Sequence, residues 1–189
     1  RAGDPPGARV ALRSAARRPD LVEGVVLFGA FACGKTSATR SLAANAVTLP
    51  VAGSPLFRLL YDLWLYSPDL YEKGLATAMA NGGYGTTSRL HERAMLHDLR
   101  RSDPEALRTV IQWLQGISVF SELQDVSVPV TVVVGALDPV VSADEQMKLA
   151  RSVRNATAII CDVGHLPMFE APELVRRLIR QPGWISSAG

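Results

Sequence analysis

Two residues near the C-terminal end of the sequence could do chemistry together. Asp138 follows the apolar run in "SVPVTVVVGALDPVV", and His165 follows a second run in "ATAIICDVGHLPMFEAPE", about one helix later. A carboxylate that orients a histidine is half of a nucleophilic triad. Taken singly, Asp138-Pro139 is also a good turn dipeptide and His165 could be a loop histidine; the pairing on successive strand ends is what favours chemistry. A second motif competes: Gly29 to Thr36 fits the phosphate-cradling pattern G-x-x-x-x-G-K-[ST], directly after the apolar run "GVVLF". There Lys35 would reach the outer phosphates and Thr36 would ligate magnesium. His91 and His97 are six residues apart, not the four that place two imidazoles on one helical face, so they are expected to be exposed helix residues and not metal ligands.

The elements that must position Asp138 and His165 can be read from the apolar pattern. Val130 to Val134 and Ala158 to Ile160 do not alternate, which is how strands buried on both faces of a parallel sheet read. "EGVVLF" is a third such strand, preceded by an Ala-, Leu- and Arg-rich helix over residues 8–18 that Pro19 ends. In open α/β sheets, reacting groups gather where strands finish and helices begin, so Asp138 and His165 share one sheet edge. Between these stretches the pattern is helical. Helices are expected from Ser54, from Ser67-Pro68, over "SRLHERAMLHDLRR" and over "DPEALRTVIQWLQG", with the Gly-rich residues 81–85 as an interruption. Ser142 with Glu145 forms a capping box for a helix running to about Val153, and Pro172 with Glu173 opens the last helix. The run Phe57, Leu59, Leu60, Trp64, Leu65 and Tyr66 could roof an apolar substrate pocket or pack as helical core.

The run "VPVTVVVGALDPVV" resembles the acid-bearing strand and turn of the α/β-hydrolase superfamily. "VGHLPMFEAPELVRRLI" resembles its histidine loop and closing helix, and "GARVALRSAARRPDLVEGVVLFGAFA" the helix after the nucleophile with the next strand. The resemblance implies a three-layer α/β-hydrolase-like parallel sheet, of which the chain holds the C-terminal strands. It implies a core of residues 1–36 and 119–189 and a helical cap inserted over 37–118. By the same resemblance, Asp138 would hold the His165 imidazole, and His165 would take the nucleophile's proton and then activate water. Glu170 and Pro172 are expected to set the following helix.

The nucleophile is the departure from the family pattern. Gly-x-Ser-x-Gly falls on Gly3-Asp4-Pro5-Pro6-Gly7, with proline where the serine belongs. Proline locks φ near −65° and cannot take the strained elbow geometry, and Pro6 has no N–H to offer an oxyanion. Asp4 is a carboxylate alternative, as in dehalogenase-like relatives, although a residue before proline is pushed toward extended backbone. The missing first strands lead to the expectation of a fragment or truncated product, with an uncovered sheet edge open to self-association. The expected function is that of a protein related to hydrolases of small esters, lactones or similar substrates, truncated or inactive as given. The alternatives are a non-catalytic binding protein on the same fold and a P-loop nucleotide-binding protein.

Composition limits the partners. The 189 residues are 48% hydrophobic, enough for one core, and carry a net charge of only +2. Basic residues are interspersed with acids, so nucleic acid is not an expected partner; an apolar small molecule is. No apolar run approaches the roughly 18 residues of a membrane span. Cys33 and Cys161 are far apart and match no disulfide or zinc pattern. Neither a metal nor a cofactor is expected, and with no signal peptide in view the expected location is the cytoplasm.

Overall fold

The computed structural model describes residues 2–3, 5–32, 53–80, 89–116, 118 and 120–180. Among these, four parallel strands form one sheet in the order β1-β2-β3-β4: Ala2–Gly3, Val25–Phe28, Val130–Gly135 and Ala156–Cys161. The register places Val25 beside Val130, Val130 beside Ala156 and Gly3 beside Leu27. Every strand therefore finishes at the same edge. β1 is a short strand that the apolar pattern did not reveal.

Side chains of the two central strands leave alternately toward two helical layers. Val25, Leu27, Val130, Val132 and Val134 pack with α1 (Pro5–Arg17) and α7 (Ala143–Ser152) through Leu12, Ala15, Leu149 and Ala150. Val26, Phe28 and Val133 pack on the opposite face with Leu174, Val175 and Leu178 of α9 (Pro172–Arg180). Burying each large side chain here is worth about 1.5–3 kcal/mol. β3 is buried at all six positions, as its unbroken apolar run requires. β4 corrects the expectation of burial on both faces: it is the last strand of the described sheet, Ile160 is 65% exposed and Cys161 is only partly covered. A strand with a neighbour on one side only has less of its surface covered, even when its residues are as apolar as a central strand's.

Helices start where the sequence allows. Pro5 opens α1, a position whose N–H has no intrahelical partner to lose. Between β2 and β3 run α2 (Gly53–Tyr66), α3 (Pro68–Ala76), α4 (Arg89–Arg101), α5 (Pro104–Gln115) and the short α6 (Phe120–Leu123). Ser67 accepts from Leu70 N at 3.5 Å and Asp103 from Glu105 N at 3.0 Å, each capping the helix it precedes. Ser142 caps α7 through Glu145 N at 3.3 Å, but Glu145 Oε2 is buried without a partner among the described residues. The expected capping box is thus seen in its serine half.

Helices α2 to α5 build a second hydrophobic centre away from the sheet. Phe57, Tyr61, Leu65, Tyr71 and Leu75 are buried there, with Met95, Leu99, Leu107 and Ile111 packed around them. Polar bonds tie α4 to α2: Tyr61 Oη donates to Leu99 O at 2.8 Å, and the Arg100 guanidinium donates to Leu65 O at 2.8 and 3.2 Å while stacking on Tyr66. Leu166, one residue after His165, packs into this same cluster.

Candidate active site

The loops after β3 and β4 are laced together before they reach the site. Ala136 N donates to Cys161 O at 2.8 Å and Leu137 N to Val163 O at 3.2 Å. Gly135 ends β3 because nothing larger fits: a Cβ there would lie 2.7 Å from Val163 O and 2.9 Å from Gly164 O. This lacing brings Asp138 and His165, 27 positions apart, to a 3.0 Å contact between Oδ2 and Nδ1. The Asp138 side chain is fully buried and that of His165 is 13% exposed.

The carboxylate is held from every side. Asp138 Oδ1 accepts from Val140 N at 2.8 Å and Val141 N at 2.9 Å, while Oδ2 accepts from Gln146 Nε2 at 3.0 Å besides meeting the imidazole. With Nδ1 donating to Asp138, the neutral imidazole keeps Nε2 as its proton acceptor. Among the described residues, no hydroxyl, thiol or second carboxylate hydrogen-bonds His165. Such a pair can take up a proton from a nucleophile and return it.

Glycines let the surrounding backbone close on the ring. Gly29 follows β2 with φ +54°, and a Cβ there would lie 2.8 Å from His165 Nδ1. The imidazole therefore reaches back from the end of β4, past β3, to the end of β2, one strand from β1. Gly164 carries the next constraint: a Cβ would lie 2.3 Å from Ala80 N. The segment after α3 is fastened at this point, since His165 N donates to Ala78 O at 2.9 Å and Ala80 N donates to Glu170 Oε2 at 2.8 Å. Glu170 also accepts from Gly164 N at 2.9 and 3.0 Å. Its carboxylate thus fastens the histidine loop and the helical cluster together, beyond the role of setting α9 expected for it. Pro172 is the first residue of α9.

Other sequence candidates stand apart from this pair. Pro5, at the expected nucleophile position, is the first residue of α1; Asp4 lies outside the described residues. Of the P-loop-like stretch, Cys33 to Thr36 also lie outside them, and Gly29 is pressed on His165. His91 and His97 are exposed on α4, His91 lying edge-on to Phe169 with 6.5 Å between ring centroids. No group of three or more metal-ligating side chains occurs among the described residues. Burial pushes the Cys161 thiol up, against a smaller opposing effect of Arg177, so it is no activated nucleophile.

The aromatic run of α2 divides between the two roles weighed for it. Phe57, Tyr61 and Leu65 are core, while Leu59 and Tyr66 are each 65% exposed. A cavity of about 360 Å³ lies inside the helical cluster among Phe57, Tyr61, Trp64, Gly74, Leu107 and Ile111. A groove of about 630 Å³ separates α4 from α9 and from α8 (Pro167–Glu170). Neither is lined by Asp138 or His165.

Gln146 is the site residue that sequence reasoning missed. It lies on the inner face of α7 with Leu149 and Ala150 and is completely buried. A lone amide in an apolar helical stripe was the available signal.

Residues 7–178 match a family model described as "Alpha/beta hydrolase family". No curated protein matches the chain. Among solved structures, the chain is similar to MGS-M2, an alpha/beta hydrolase enzyme from a Medee basin deep-sea metagenome library. The TM-score is 0.66 and the identity 17%, over 94% of this chain and 62% of that one. It is similar to the enol-lactonase from Burkholderia xenovorans LB400 (TM-score 0.64, 17% identity, 95% and 63% covered). It is also similar to a thermophilic esterase from Thermogutta terrifontis (0.62, 19%, 98% and 64%). At these identities the likeness is one of fold, and the chain spans about three fifths of the length of these structures.

Proposed function

The chain belongs to the alpha/beta hydrolase family, and from that premise we propose that Asp138 and His165 are the acid and base of a hydrolytic site for small esters or lactones. The observation that carries this reading is the 3.0 Å bond from a buried carboxylate to Nδ1, which leaves Nε2 as the nitrogen able to accept a proton. In the forward step His165 would accept the proton of the attacking group through Nε2, and Asp138 would stabilise the imidazolium so formed. In the second step the same nitrogen would activate water. Helices α2 to α5 act as the cap, tied to the histidine loop through Ala78 and Ala80.

The nucleophile sets the limit of this activity in the chain as given. Pro5 has no attacking group, and the N–H missing at Pro6 removes an oxyanion donor, a loss of about 100- to 1000-fold by itself. The chain should therefore not hydrolyse p-nitrophenyl acetate or butyrate faster than a denatured control. Hydrolysis above that control and abolished by His165→Ala would overturn the inactive part of the reading while keeping the pair; Asp4→Asn would then test the carboxylate nucleophile. Hydrolysis unaffected by His165→Ala would remove the pair as well. The same prolines favour a second reading, a binding protein that retains the fold and the pair without turnover.

A further inference from the structure

Gln146 is completely buried, as the Asp138 side chain is, and none of its polar atoms faces solvent or a spare partner. Its Oε1 accepts from Gly135 N at 3.1 Å, and its Nε2 donates to Val141 O at 2.8 Å and to Asp138 Oδ2 at 3.0 Å. The first two partners fix which end is which, because a backbone N–H only donates and a carbonyl only accepts. The amide therefore cannot flip, and its remaining N–H is aimed at Asp138. An apolar residue would serve the packing of α7 against the sheet as well; Leu149 and Ala150 do so on the same face.

We propose that Gln146 is a positioning residue for the Asp138–His165 pair, an inference that rests on reading that pair as the acid and base. Two backbone N–H groups hold Oδ1, and the amide takes one lone pair of Oδ2. The other lone pair of Oδ2 is left directed at Nδ1, so the plane of the carboxylate and the tautomer of the ring are set together. Gln146 spans the end of β3, the turn after Asp138 and the carboxylate itself, so the acid loop keeps its shape without help from a bound substrate. Among the described residues, the titratable groups that the amide's hydrogen bonds reach are Asp138 of the β3 loop directly and His165 of the β4 loop through it. Gly135 and Val141 meet it through backbone alone.

The test is the His165 Nδ1–H resonance in protein labelled with ¹⁵N at histidine, assigned by its loss in His165→Ala. Folded Gln146→Met should exchange this proton with water roughly tenfold faster than the unsubstituted protein. Gln146→Glu keeps the length and the acceptor for Gly135. It should preserve the resonance at acidic pH, where the new carboxyl is protonated and its single O–H can donate to Asp138 Oδ2 in place of the amide. It should lose the resonance as the pH rises and two carboxylates come to face each other. Unchanged exchange in folded Gln146→Met overturns the proposal. If that variant does not fold, a Gln146→Glu resonance whose pH dependence matches that of the unsubstituted protein overturns it. Absence of any slowly exchanging Nδ1–H in the unsubstituted protein is a different outcome, since it removes the acid–base reading itself.

Discussion

His165 is held between a carboxylate and a glycine. Asp138 binds Nδ1 on one side, and Gly29 leaves the space that the ring occupies on the other. An alanine at position 29 would meet two penalties. Its backbone would sit at φ +54°, a region that costs a side chain about 1–3 kcal/mol, and its Cβ would press on the ring. Gly29→Ala should lower the urea-unfolding free energy by at least that amount and weaken the Nδ1–H resonance. Gly116→Ala is the matched control. Its Cβ would meet only Trp113 O, at 3.7 Å, so its stability should change by less than about 0.5 kcal/mol. Equal effects at both positions would mean that neither the positive φ nor the ring constrains position 29.

Among the elements, the histidine loop is the joint between the sheet and the helical cluster. Glu170 on α8 accepts from Gly164 and Ala80, and Leu166 packs among the aromatic residues of α2 and α3. Removing the carboxylate leaves two partly buried N–H groups without partners, at about 1–3 kcal/mol each. Glu170→Ala should therefore speed hydrogen exchange at Gly164 and Ala80 and leave that at Val132, in the centre of β3, unchanged. Faster exchange across all three would show a general loss of stability rather than a joint that opens by itself.

At the scale of the molecule, two hydrophobic centres respond differently to alkali. Burial pushes the Tyr71 phenol up to about 12, with Glu92 adding to the shift and Arg100 opposing it; burial raises Tyr61 as well. Both belong to the helical cluster, and among the described residues the clusters packed on the sheet contain no tyrosine. Below pH 10 the phenols are neutral in both states and this contribution is complete. Between about 10 and 12 the unfolded chain ionises first and binds fewer protons, so stability falls as the pH rises, by about 2 kcal/mol for Tyr71. Circular dichroism against pH should show the helical signal of α2 to α5 falling in that window, with Tyr71→Phe moving the loss to higher pH. An unshifted transition in the variant would exclude Tyr71 as its cause.

What the sequence determined by itself was everything that depends on neighbouring residues. The unbroken valines of β3, the helix starts at Ser67-Pro68 and Asp103-Pro104, the cap at Ser142 and the turn at Asp138-Pro139 each act over a few positions, so their pattern shows in the chain. The pairing of Asp138 with His165 was legible because both follow apolar runs, and parallel strands deliver their ends to one edge. The tertiary structure decided what depends on contacts across the chain. β4 contains residues as apolar as those of β3, and only its place at the side of the described sheet leaves Ile160 exposed. β1 is two residues long and carries no periodicity to detect. Gly29 fits a phosphate-loop pattern and Gln146 reads as one more polar residue on a helix; their roles exist only because the loop after β4 folds back over β3 to β2, placing an imidazole against one and a carboxylate between the other and that ring.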